Sequence, residues 1–233
     1  MWWGWFDPVY MLFLAPGMLL AIWAQYRVSS AFAWARQIRA SSGYSGAEAA
    51  SVLLDRAGVP GVRIEPVMGF LSDHYVPGEY VLRLSPEVYE GRSLAALGVA
   101  AHESGHAMQE AYRYPLLGVR NLFVPLAGFG SSVAWIIIAI GFALSALNLI
   151  AIGCIAFSFT VIFQLVNLPV EFDASRRARR ALLDTGLVTV EEDVVVGRVL
   201  NAAALTYVAA TLTSILTLLY FLLRSGLLGG SRD

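Results

Sequence analysis

The sequence predicts a mainly α-helical integral membrane protein of about four transmembrane helices with a small α+β domain outside the bilayer. Three observations predict this class. Hydrophobic residues make up 58% of the chain and charged residues only 14%, against about 25% charged in soluble domains. The segments 8–26, 121–170 and 199–223 carry no Asp, Glu, Lys or Arg, and a spanning helix needs about 20 apolar residues to cross ~30 Å of hydrocarbon. Between the first two of these runs lies a stretch with helix caps and strand-like alternation.

Taken in order, the first span is expected at 8–26. No basic residue precedes it and no small-residue cleavage site stands out after it, so it is expected to stay as an anchor. The run 121–170 as one helix would reach ~75 Å. It must therefore fold back, and two spans within 122–168, roughly 122–144 and 149–168, are expected to turn near Ser145–Asn148. The fourth span is expected at 201–223. Every one of the 16 basic residues is arginine, and their placement sets the orientation. Arg27, Arg36 and Arg39 follow the first span, and Arg176, Arg177, Arg179 and Arg180 follow the third, whereas the tail holds only Arg224 and Arg232. Segments 27–120 and 170–200 are thus expected in the cytoplasm. Trp2, Trp3 and Trp5 fit an interfacial aromatic belt.

Within 27–120, "SGAE" at Ser45–Glu48 has capping-box spacing and predicts a helix ending near Gly58. "VRIEPV" and "EYVLRLS" read as strands, and the second is expected to offer an edge for an extended substrate. Between them "MGFLSDHYVPG" reads as a loop or irregular strand holding His74. Ser85-Pro86 starts a helical turn. Ser93 caps a helix expected to run to about Tyr112.

That last helix contains "AAHESGHAMQ". Residues four apart share a helix face, so His102 and His106 can turn their imidazoles to one metal ion. Glu103 lies one residue round, able to reach a metal-bound water without being a ligand. This H-E-x-x-H spacing suits zinc hydrolysis, and only three histidines exist in the chain. The competing reading is a helix with two structural histidines. Gly105 counts against it, because glycine inside a helix costs about 1 kcal/mol relative to alanine and points to a close approach. A catalytic zinc takes three protein ligands plus water. The metzincin continuation is absent, because Gln109 and Tyr112 stand at its glycine and histidine positions. The third ligand must come from elsewhere. Glu171 and Asp173 in "NLPVEFDASRRARRALLDTG" are the candidates, with the competing reading of acids favoured at a helix start.

"LSDHYVP", "LRLSPEVYEGRSLAALGVAAHESGHAMQ", "LPVEFDASRRA" and "LNAAALTYVAA" together resemble the YugP-like family of bacterial membrane zinc metallopeptidases, over about residues 65–215. More distantly, the chain is similar to the HtpX and CAAX prenyl-protease group, in which the third ligand is the Glu of an E-x-x-x-D stretch. The resemblance implies a zincin-like cytoplasmic domain over 27–120 and a cytoplasmic helical segment with the third ligand in 170–200. It implies His102, His106 and Glu171 as ligands to Zn2+, with Glu103 as the base. It further implies a multi-pass protein of the bacterial inner membrane that hydrolyses a peptide or membrane-protein substrate, its active site on the cytoplasmic side. Ser175 departs from the distant group, which has Asp there to steady a ligand, and Asp173 is a candidate replacement. His74, Tyr75 and Tyr207 are candidates for the oxyanion donor or for support around the ligands.

A net charge of −1 gives no electrostatic case for nucleic acid. "SRRARR" fits anionic lipid headgroups, although a topology signal alone explains it. Cys154 is the only cysteine, so no intrachain disulfide can form, and it is expected as a small buried apolar residue. Two other classes remain open: an intramembrane protease of the site-2 type, and a non-catalytic membrane scaffold that binds metal. Glu90, Arg92, Glu110 and Arg113 flank the motif helix too closely for it to span, and a purely structural metal site has no need of Glu103.

Overall fold

The computed structural model describes residues 7–69 and 72–228, with Phe129 as backbone. Trp2, Trp3, Trp5 and Arg232 lie outside the described residues. The elements in chain order are α1 (Pro8–Ala35), α2 (Gly46–Arg56), β1 (Arg63–Pro66), β2 (His74–Val76), β3 (Val81–Leu84), α3 (Pro86–Tyr89), α4 (Leu94–Ala111), α5 (Pro115–Ala143), α6 (Leu147–Asp184) and α7 (Val190–Arg224). Four of them, α1, α5, α6 and α7, are long and apolar enough to cross a membrane. The protein is mainly helical with a small α+β part, as its composition predicts.

The chain divides into two compact units, the first of residues up to Ala24, Gly118–Leu168 and from Leu205 onward, the second of Gln25–Leu117 and Pro169–Ala204. The first unit is a set of apolar helical segments. Leu12, Ile136 and Ile155 are exposed on their surfaces, which suits a lipid environment. Its interior includes Ile138, Ile150, Cys154, Tyr220 and Phe221. Small residues let helices close: a Cβ on Gly17 would stand 2.4 Å from Thr213 Oγ1. Thr211, Thr213, Ser214 and Thr217 each donate to the carbonyl four residues earlier, so no hydroxyl among them needs water. The turn between α5 and α6 falls at Ser145, with φ at +53°, where the back-folding of the long apolar run requires it.

The second unit holds the sheet and the larger core. The Ser45 hydroxyl accepts from Glu48 N–H while the Glu48 carboxylate accepts from Ser45 N–H, completing the expected capping box of α2. Ser93 caps α4 through Ala96 N–H. Thr189 and Glu192 form the same reciprocal pair at the start of α7. Ser85 precedes α3 as expected, but its hydroxyl donates to Asp73 instead of capping. The core packs Leu53, Leu82, Leu84, Leu94, Leu97, Leu182 and Val196 together, joining α2, β3 and α4 to the parts of α6 and α7 in this unit.

Two expectations change. The "EYVLRLS" strand is β3, and it is the central strand: the order is β1-β3-β2, with β1 parallel and β2 antiparallel to β3. Both of its edges are paired, so it has none to offer a substrate. The segment holding His74 pairs through Tyr75↔Leu82 after a turn with Gly78 and Tyr80 at positive φ. Three residues are too short to display the alternation that would mark a strand. Secondly, no helix starts at Glu171, because the helix of the third span continues past 168. Helix α6 runs through Pro169 to Asp184, because an internal proline removes one backbone donor without ending a helix that neighbouring packing supports.

Candidate active site

Helix α4 carries the H-E-x-x-H stretch and is buried on nearly every side. That burial explains its small residues. A Cβ on Gly105 would lie 2.6 Å from the carbonyl oxygen of Ala174 on α6, closer than atoms can approach. The glycine therefore brings the α4 backbone against α6 one residue before His106.

The close approach brings three side chains together. His102 Nε2 is 3.2 Å and His106 Nε2 3.6 Å from Glu171 Oε2, and the rings of the two histidines meet edge to face with centroids 4.9 Å apart. One donor atom from each of His102, His106 and Glu171 lies within 4.8 Å of the others. Glu171 is 3% exposed, and an ionised carboxylate that deep needs a cation or strong donors. Two imidazoles and a carboxylate are a donor set suited to zinc. The other ring nitrogens are already occupied, with His102 Nδ1 3.1 Å from Ser175 Oγ and His106 Nδ1 2.9 Å from Gln109 Oε1. Both Nε2 atoms are thus turned to Glu171, and the residues present fit the metal.

Glu103 sits beside this cluster. Its Oε2 accepts from the main-chain N–H of Tyr75 at 3.0 Å, which ties α4 to β2. Burial pushes its carboxyl above the ordinary range, with Glu171 and Asp73 adding to the rise and the two histidines opposing it. For His106, burial opposes the charged form, but Glu171 and Glu103 outweigh it and raise the imidazole.

The remaining expected residues fall in different places. The Tyr75 hydroxyl donates to Glu110 at 2.5 Å, and burial together with that carboxylate raises the phenol. Only the backbone of Tyr75 reaches Glu103. His74 opens β2 with an exposed side chain, its Nδ1 2.7 Å from Ser72 O. Asp173 lies on α6, 6% exposed, paired with Arg176 at 2.9 Å and Arg177 at 2.5 Å. It also accepts from Gln109 Nε2 at 3.0 Å. Ser175 faces His102 from the position where the distant group has Asp. Tyr207 lies on α7 in the first unit.

Gln109 and Glu110 are contributors that the sequence reading did not single out. Glu110 accepts from both the Tyr75 hydroxyl and the Gly78 N–H, pinning β2 and its turn to α4. The only signal for either was helical spacing, three and four residues beyond His106, and polar residues at such spacing are common on solvated faces.

Comparison with known proteins places the chain in a family. The family described as "Putative neutral zinc metallopeptidase" matches residues 10–226. The chain is 47% identical over 204 residues to a Bacillus subtilis (strain 168) protein named "Putative membrane protease YugP", covering 88% of this chain and 91% of that protein. No solved structure matches. With the match extending over nearly the whole chain, the protein belongs to this family of neutral zinc metallopeptidases.

Proposed function

We propose that the protein is a membrane-anchored zinc endopeptidase of H-E-x-x-H plus Glu type, hydrolysing peptide bonds near the cytoplasmic face of the bacterial inner membrane. His102, His106 and Glu171 are its metal ligands. The observation that carries the reading is the convergence of these three donors within 4.8 Å, with Glu103 beside them. Zinc bound there would polarise a carbonyl and acidify a water. Glu103 would take a proton from the attacking water as the water oxygen bonds the peptide carbonyl carbon. As the C–N bond breaks, Glu103 returns the proton to the leaving amine. The Tyr75 N–H holds one carboxylate oxygen of Glu103 and so limits the directions the base can point. His74, Tyr75 and Tyr207 stay the candidates for the oxyanion donor, and of these His74 has an exposed side chain with Nδ1 2.7 Å from Ser72 O. Cytoplasmic placement of segments 27–120 and 170–200 rests on the arginine distribution.

The reading is tested by zinc content and casein cleavage of the purified protein beside Glu103→Gln and Glu171→Ala. Glu103→Gln is expected to keep about one zinc and to lose cleavage by roughly 10²–10⁴-fold. Glu171→Ala is expected to lose the zinc. If wild type binds zinc and Glu103→Gln cleaves as well as wild type does, the cleavage is a contaminant's or the site is not catalytic, and the metal-binding scaffold replaces the peptidase reading. Labelling the depth of His106 in the bilayer separates the proposed reading from a site-2-type protease, which would hold it well inside the hydrocarbon.

A further inference from the structure

Gln109 is 0% exposed and lies between His106 and Asp173. Its Nε2 is 2.8 Å from Val170 O and 3.0 Å from Asp173 Oδ2. Both of those atoms are acceptors, so the amide must present its NH2 to them. Its carbonyl oxygen must then face His106 Nδ1, 2.9 Å away. An acceptor at that distance requires the hydrogen of a neutral ring to sit on Nδ1. The lone pair is left on Nε2, the atom 3.6 Å from Glu171 Oε2. Asp173 is itself fixed as an acceptor by Arg176 and Arg177.

We propose that Gln109 and Asp173 are positioning residues that fix the tautomer and aim of His106 through a chain of hydrogen bonds from α6 to α4. The inference rests on the reading of His106 as a metal ligand. His102 is held differently: Ser175 Oγ, 3.1 Å from its Nδ1, can donate or accept, so it does not dictate a tautomer. Of the two imidazoles, His106 is the one whose protonation pattern is imposed from outside.

The test uses the full chain in detergent, with zinc affinity measured by chelator competition. A second readout is the nitrogen NMR of histidine-labelled, metal-free protein, legible because the chain has three histidines. Gln109→Leu is expected to weaken zinc by about 10–100-fold, the usual effect of losing a partner behind a metal ligand. In the metal-free protein at alkaline pH, where the ring is neutral, it moves His106 from a single Nδ1–H form to a mixture. Gln109→Glu sets two carboxylates face to face and is expected to weaken zinc similarly. Adding Asp173→Asn restores a donor toward the introduced carboxylate and recovers affinity to within a few-fold of wild type. Unchanged zinc affinity in Gln109→Leu, or a double variant no better than Gln109→Glu alone, overturns the proposal. Where Gln109→Leu does not fold, the comparison of the double with the single variant decides. If His106→Ala binds zinc as well as wild type, the ligand reading fails and this proposal with it.

Discussion

Ser175 and Gln109 support the two imidazoles by different chemistry. The hydroxyl contributes one small rotatable group, whereas the buried amide is locked by two acceptors behind it. Ser175→Ala is expected to weaken zinc by about tenfold, at the mild end of such effects, because water can replace a hydroxyl at a partly exposed ring. Ser175→Asp, which rebuilds the acidic partner of the distant group, is expected to bind zinc at least as tightly as wild type. Chelator competition measures both, and tighter binding by the alanine variant would contradict the role. At this scale the histidine pair was legible, because spacing of four on a helix sets a shared face whatever surrounds it. The function of Gln109 was not, since what its amide faces depends on Val170 and Asp173, more than sixty residues away.

Among the elements, α4 is held by close approach on one side and by a strand on the other. Gly105→Ala would drive a Cβ into the Ala174 carbonyl and force α4 from α6. We expect a loss of about 1–3 kcal/mol of stability together with lost zinc, measured by thermal unfolding and metal content. Glu110→Ala would free the Tyr75 hydroxyl and the Gly78 N–H. Because β2 then no longer carries its N–H rigidly to Glu103, cleavage is expected to fall on the order of tenfold to a hundredfold while zinc is retained. Loss of zinc in that variant would place Glu110 in the metal site itself. The start of α2 was readable in advance, since a capping box is a local exchange of hydrogen bonds between residues three apart. Strand β2 was readable only as a loop or irregular strand, because three residues become a regular strand only by pairing with β3.

For the whole molecule, metal and membrane give separate expectations. A metal that binds the folded state alone stabilises it by about 2.7 kcal/mol at 100-fold over its Kd, and the proposed ligands come from α4 and α6. Chelation is therefore expected to lower the thermal midpoint of the zinc-loaded protein, and to leave Glu171→Ala unmoved. Orientation can be read with single cysteines, since Cys154 is the only native one and is buried. In a Cys154→Ala background within intact bacteria, Leu144→Cys should react with an impermeant maleimide. Tyr44→Cys should react only after the cells are opened. The reverse pattern would move the proposed site to the outer face.

Composition and charge spacing by themselves determined a four-span helical protein, because charge is excluded from hydrocarbon locally and that exclusion leaves its mark on every apolar run. The same is true of the His102–Glu103–His106 face and of the helix caps, whose geometry is set within one helical turn. Tertiary structure alone decided which carboxylate meets the histidines, which strand is central, and which polar groups stand behind each imidazole. Those outcomes depend on contacts between segments distant in the chain, here the meeting of α4 with α6 that Gly105 permits.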